Sequence, residues 1–253
     1  MKKSTLTLGQ ITATLATIVL ARHGHAEKLP RVSTRKDAER ELTEMGRRQA
    51  VALGEALATE PPVYDTVFAS PLLRAQQTAK LAMPQHMAEP NIIAELGIPE
   101  DPQHALNVMF NELAYSSLAT YFQHARADEL KDWAIEALDG IVAKAEEYSA
   151  FYDRPIHLFI GGHAVCQNAI LWALYQHLPK SDARGGAAAD FVLNVALEYR
   201  MGEGDAIRVT LTGLKHPICE ILVNPTRADA GEFPDKVIKA GEIAAEQEAP
   251  VAA

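Results

Sequence analysis

The stretch Thr17-Ile18-Val19-Leu20-Ala21-Arg22-His23-Gly24 decides the reading of this chain. Its first five residues are apolar or β-branched, and charge and glycine end the run abruptly. That pattern predicts a short strand, covered on both faces, whose end carries polar chemistry. Two later segments repeat it. Residues 65–69 lead into Ser70-Pro71-Leu72-Leu73-Arg74, and residues 156–160 lead into Gly161-Gly162-His163.

Helical patterns lie between these strands. Residues 43–58 place Ala50, Leu53 and Leu57 on one face, with Thr43 as the N-cap. Residues 71–82 begin with Pro71, which suits a first helical turn. Residues 103–122, 128–151 and 164–178 also carry apolar residues at helical spacing. The alternation predicts an α/β fold: a three-layer α/β/α sandwich around a mostly parallel sheet. A brief strand is expected at 91–94, a polar loop at 28–41 and a small-residue loop at 181–189. Two late strands, 191–200 and 207–214, are expected to pair across a turn at 201–205. A helical insertion at about 97–132, carrying Phe110, Tyr115, Tyr121 and Phe122, is expected over the site. The domain would span 17–225, between an N-terminal extension at 1–16 and an acidic, disordered tail at 226–253.

Composition narrows the function. Of 253 residues, 48% are hydrophobic, which excludes a wholly disordered chain. A net charge of -9 leaves no broad cationic field for nucleic acid, so no nucleic-acid partner is expected. Two cysteines, Cys166 and Cys219, are too few for a disulfide scaffold or a Cys-based zinc site, and favour a cytoplasmic location. Lys2 and Lys3 before residues 6–21 loosely imitate a secretory signal. Gly9, Gln10 and the intervening threonines dilute it, and cleavage there would fray Arg22-His23-Gly24. No run approaches the ~18 apolar residues of a membrane helix, so no membrane partner is expected.

In parallel sheets, chemistry gathers beyond the carboxyl ends of the strands, and right-handed crossovers bring those ends to one edge. The converging set is Arg22, His23, Arg74 and His163. Two guanidinium forks suit a phosphoryl group. Helix N-termini near Pro71 and Ala164 would add backbone donors. A neutral imidazole can attack phosphorus and carry the phosphoryl group. Nearby arginines disfavour protonation of that imidazole and neutralise the equatorial oxygens of the transition state. No cofactor is required by this chemistry.

Taken together, Leu20-Ala21-Arg22-His23-Gly24, Leu42-Thr43 with Gly46, Ala69-Ser70-Pro71-Leu72-Leu73-Arg74-Ala75-Gln76-Gln77-Thr78-Ala79 and Gly162-His163-Ala164 resemble the histidine phosphatase superfamily. The branch is the one similar to phosphoglycerate mutase and bacterial phosphohistidine phosphatases, and the resemblance spans roughly 17–178. It implies that His23 is the nucleophile that becomes phosphohistidine. It implies that Arg22 and Arg74 clamp the phosphoryl oxygens and that His163 donates to them. It also implies a carboxylic acid that protonates the leaving oxygen. Glu95, in Ile93-Ala94-Glu95-Leu96-Gly97, matches that context best, with Glu100 and Glu112 as rivals. His25-Ala26-Glu27-Lys28 replaces the longer, Trp- and Asn-containing mutase signature, so hydrolysis is favoured over mutase activity. The substrate would be a phosphorylated small molecule or a phosphoprotein, including phosphohistidine.

Two other readings stay open from sequence. His23 and His25 form a His-x-His pair that a metal-dependent hydrolase could use. The chain could also be a phosphate-binding regulatory module with weak turnover. The remaining histidines, His86, His104, His124, His157, His177 and His216, are expected to be ordinary. The stripe from Ile170 to Leu174 is expected to be core, and Cys166 a buried helix residue.

Overall fold

In the computed structural model, which describes residues 6–28, 37–58, 63–86, 88–99, 101–114, 116–179, 183–211 and 217–226, β1 (Leu15–Arg22) is buried along its whole length. Alternation sends its side chains to two different cores. Ile18 and Leu20 join the larger cluster, while Val19 and Ala21 join the smaller one on the other face. A strand covered on both faces reads as a continuous apolar run, which explains why residues 17–21 show no polar alternation.

The helices that cover these faces follow in chain order. The short α1 (Leu8–Thr14) precedes β1; α2 (Glu44–Ala58), β2 (Thr66–Ala69), α3 (Leu73–Ala82) and β3 (Asn91–Ile92) come next. Then come α4 (Ala105–Leu113), α5 (Leu118–Tyr121), α6 (Ala127–Tyr152), β4 (Ile156–Gly162), α7 (Ala164–Tyr175), α8 (Ala183–Glu198), β5 (Ala206–Thr210) and β6 (Ile218–Leu222). Leu53 and Leu57 of α2 and Ala79 and Ala82 of α3 form one layer against the sheet; α6 and α7 build the other.

The strand order is β3-β2-β4-β1-β5-β6. The first four strands are parallel: β2 pairs with β3 and β4, and β4 with β1. β5 runs antiparallel to β1, and β6 antiparallel to β5. The sheet is therefore mixed, with helices on both sides, and the expected three-layer α/β architecture holds.

Several local readings change. Residues 191–200 are not a strand: they belong to α8, whose start lies inside the expected loop at 181–189. β5 pairs with β1 and β6 instead. The turn near 201–205 exists but joins a helix to a strand. Residues 103–122 split into α4 and α5 at Ala114, whose φ of 48° breaks the helix. Residues 8–14 form a helix closed by a Thr7–Gln10 capping box, with Ile11 fully buried; Leu15 and Ala16 already belong to β1. Thr43 does cap α2, its Oγ1 accepting from the Gly46 N–H at 3.2 Å. Glu100, Tyr115, His216, residues 212–214 of the second expected late strand, Lys2, Lys3 and the tail from 227 lie outside the described residues. No helix among the described residues is long and apolar enough to cross a membrane.

Candidate active site

Each polar side chain of the site enters from a strand end or the first turn after one. β1 delivers Arg22 and His23, α3 begins one residue before Arg74, and β4 ends just before His163 at the N-cap of α7. Because β1, β2 and β4 are parallel neighbours, the three ends share one edge. Backbone bonds lock them together: His23 N donates to Gly162 O at 2.9 Å, and Ser70 N to Gly161 O at 2.9 Å. Gln167 of α7 adds a brace, its Nε2 donating to Ala21 O and Ile160 O, both at 3.1 Å.

The four expected residues line one cavity of about 570 Å³. His23 Nδ1 lies 2.7 Å from the Gly24 carbonyl, so it must carry the proton. Its Nε2 accepts from Arg74 Nε at 3.2 Å. Both contacts demand the same tautomer, neutral and with the Nε2 lone pair directed at the guanidinium. Burial, and then the Arg74 charge, push the His23 imidazole down to about 3, so it stays unprotonated at neutral pH. The His163 ring stands edge-on to it, with centroids 5.2 Å apart, and its Nε2 is 3.0 Å from the Ser70 hydroxyl. Burial and the neighbouring His23 and arginines hold His163 well below its ordinary value as well.

The two arginines are buried and already engaged. Arg22 Nη1 donates to the Met201 carbonyl at 2.6 Å, and Nη2 is 3.9 Å from Glu203. Arg74 Nη1 donates to the Asp37 carbonyl at 2.9 Å and Nη2 to its carboxylate at 3.0 Å. Arg40 joins the same wall, bonding Asp37 at 2.9 Å. Burial would raise the Asp37 carboxyl, but the Arg74 and Arg40 guanidiniums outweigh it and hold the group below its usual range.

Asp37, Arg40, Ser70 and Glu203 are functional candidates that sequence reasoning missed. Ser70 was visible in the quoted run but had no assigned contact. Asp37 and Arg40 lie in a polar stretch without periodicity, and Glu203 in a turn. Phe110, Leu118 and Tyr121, from the region expected to cover the site, also line the cavity.

Glu95 is not brought to the cavity. It is exposed on a short 3-10 turn, and its carboxyl packs where a side chain on Gly140 of α6 would sit, 3.3 Å away. Glu112 is also turned aside, bonded to His124 at 3.0 Å. His25 Nδ1 lies 2.8 Å from the Thr43 hydroxyl, and His25 does not line the cavity. Among the described residues, no three His, Cys, Asp or Glu side chains cluster as a metal site would require. Cys166 is buried in α7, and burial pushes its thiol up to about 12.

Residues 18–97 match the model of the histidine phosphatase superfamily (branch 1), a span that holds Arg22, His23 and Arg74. A 2,3-bisphosphoglycerate-dependent phosphoglycerate mutase of Methylocella silvestris is 37% identical over 121 residues, covering 47% of this chain and 51% of that protein. The chain thus aligns with about half the length of that curated relative. Among solved structures, a mycobacterial glucosyl-3-phosphoglycerate phosphatase is 23% identical with a TM-score of 0.50, covering 83% of this chain and 98% of the other. The alpha-ribazole phosphatase of Shigella flexneri is 21% identical with a TM-score of 0.50, covering 83% and 96%. These two share the fold. The family match thus lies on residues 18–97, and the two solved structures resemble this chain in fold.

Proposed function

We propose that this protein is a metal-independent phosphatase that works through a phosphohistidine on His23. The observation that carries the reading is the pair of contacts on the imidazole. Gly24 O holds the proton on Nδ1, leaving the Nε2 lone pair beside Arg74 inside a cavity that also presents Arg22 and Arg40. A phosphoryl group held by these guanidiniums has its phosphorus presented to Nε2. Attack forms the P–N bond and breaks the bond to the leaving oxygen. Water then attacks the phosphohistidine, and the P–N electron pair returns to Nε2. His163, fixed by Ser70, contributes a further polar contact to the phosphoryl oxygens.

The substrate in this reading is a phosphomonoester or a phosphorylated protein side chain, met in the cytoplasm. The free thiols of Cys166 and Cys219 support that location. The mutase relative favours a second reading, in which the phosphoryl group passes to another hydroxyl of a sugar-acid phosphate. Phe110, Leu118 and Tyr121 in the cavity lining support a less polar leaving group instead.

The test is to incubate the chelator-dialysed protein with radiolabelled aryl phosphate and quench in base, where phosphohistidine survives. A label on wild type, absent from His23→Ala, with steady release of inorganic phosphate is expected. Activity that vanishes on dialysis and returns only with zinc or manganese would move the assignment to a His23–His25 metal hydrolase. Phosphate binding without label or release would indicate a regulatory module.

A further inference from the structure

We propose that Glu203 is the catalytic acid and base of this site, giving a proton to the leaving oxygen and later taking one from the attacking water. The inference rests on the phosphatase reading and adds the group that reading lacks. Among the described residues lining the cavity of His23, Glu203 is the carboxylate; Glu95 and Glu112 face elsewhere.

Its platform is tied to the nucleophile. The Gly204 N–H donates to His23 O at 3.3 Å, and the Arg22 N–H to Asp205 O at 2.9 Å. The buried Asp205 carboxylate takes the Tyr199 hydroxyl at 2.7 Å, the Gly202 N–H at 2.5 Å and the Asn224 N–H at 2.9 Å. Gly204, at φ +80°, turns the chain tightly after Glu203. A carboxylate on such a turn keeps its place relative to the imidazole, as proton transfer requires.

Asp37 is the nearest competitor and is unsuited. Its oxygens accept from both Arg74 and Arg40, which keeps it ionised and without a proton to give. Glu203 is 3.9 Å from Arg22, too far for a hydrogen bond, and its side chain is 30% exposed. The cations that line the cavity with it are Arg22, Arg40, Arg74 and Arg200, beside the neutral imidazoles of His23 and His163; the Asp205 carboxylate is taken up by Tyr199, Gly202 and Asn224. When a phosphoryl dianion occupies the cavity it engages Arg22, leaving the Glu203 carboxyl to meet the leaving oxygen. As the P–O bond breaks, the proton passes from the Glu203 carboxyl to the leaving oxygen, giving an alcohol and a carboxylate. That carboxylate then takes a proton from water as the oxygen bonds to phosphorus and the P–N bond breaks. Inorganic phosphate, neutral His23 and protonated Glu203 result.

The experiment compares phosphoenzyme formation and decay in wild type, Glu203→Gln and Glu203→Asp with an alkyl phosphate and with 4-nitrophenyl phosphate. An alkoxide needs a proton to leave and a nitrophenolate does not, and general acid catalysis contributes about 10²–10⁴-fold. Glu203→Gln is expected to slow phosphoryl transfer from the alkyl ester at least about a hundredfold. The nitrophenyl ester should change less than about tenfold, with phosphoenzyme accumulating because its hydrolysis has lost the base. Glu203→Asp should recover part of the alkyl rate. A uniform effect on both esters, in a variant with wild-type melting, overturns the proposal and makes Glu203 a positioning residue for Arg22. Failure to label His23 in wild type overturns the phosphatase reading and this proposal together. A label with a uniform effect removes only Glu203.

Discussion

The Asp37 carboxylate bonds the Arg74 guanidinium at 3.0 Å, and the Asp37 carbonyl takes a second N–H of the same group at 2.9 Å. The protein's own chain thus occupies part of the fork that the proposed phosphoryl group would use. An incoming dianion has to share Arg74 with this carboxylate, and like charges oppose each other across the guanidinium. Asp37→Asn keeps the shape and removes the charge. The inhibition constant for inorganic phosphate is expected to fall about threefold or more, a modest change because the Asp37 side chain is 61% exposed and screened. Weaker phosphate binding in the variant would show that Asp37 serves to orient Arg74 rather than to compete for it.

Arg74→Lys tests the fork itself. Lysine keeps the charge but cannot bond His23 Nε2 and a phosphoryl oxygen from one rigid plane. A loss of at least tenfold in kcat/KM is expected, or about 1.4 kcal/mol of transition-state stabilisation. Steady-state kinetics with an aryl phosphate decide it; unchanged kcat/KM would mean that point charge alone suffices.

Close approach at two glycines holds the loop that carries His23 against α2. A Cβ on Gly46 would stand 2.0 Å from His25 O, and one on Gly24 would stand 2.4 Å from Gly46 O. Backbone cannot yield as a side-chain end can. Gly46→Ala is therefore expected to push the 23–25 loop outward, costing about 1–3 kcal/mol of stability and lowering kcat more than tenfold through misplacement of His23. Urea unfolding and aryl phosphate turnover measure both. A variant with native stability and turnover would mean that the loop relaxes without moving the imidazole.

Much of this site was legible because its residues sit where strands stop. Arg22, His23, Arg74 and His163 each follow an apolar run or open a helix, so local pattern and topology point to the same edge. α8 was not legible. Phe191 to Arg200 is rich in aromatic and β-branched residues, which reads as strand. Its buried positions, Ala189, Val192, Val195 and Ala196, instead follow helical spacing. Tertiary contacts settle the choice: Asn168 Nδ2 lies against the carbonyls of Val195, Ala196 and Tyr199 at 3.4, 3.1 and 3.0 Å, satisfying the helix end. Asp37 and Arg40 escaped for another reason. Their stretch has no periodicity, and their role exists only once the chain folds back over Arg74. Glu95 shows the converse: its motif context pointed to the site, but its turn directs the carboxyl to α6.

That displacement carries its own expectation. Glu95→Gln, in a group packed on α6 and open to solvent, is expected to leave kcat/KM for alkyl and nitrophenyl phosphates within about twofold of wild type, in keeping with surface substitutions. A selective loss with the alkyl ester would return the acid role to Glu95 and remove it from Glu203.

The depressed basicity of His23 also links the site to acid stability. In the unfolded chain its imidazole titrates near 6.5, and in the folded protein near 3, because burial and then Arg74 oppose the charge. Between these values the unfolded state binds one more proton than the folded state. Stability is therefore fully present above about pH 6.5 and is lost as pH falls toward 3. Each pH unit in that window costs up to about 1.4 kcal/mol, less where cavity water screens the ring. His163 is depressed in the same direction and contributes a parallel loss. His23→Asn removes one titration and leaves the other. Urea unfolding at pH 7.5 and 4.5 should show wild type losing about 1–3 kcal/mol more than the variant over that interval. Equal losses in the two proteins would mean that His23 is solvated well enough to protonate in the folded state, and the neutral-nucleophile argument would fail below pH 6.5.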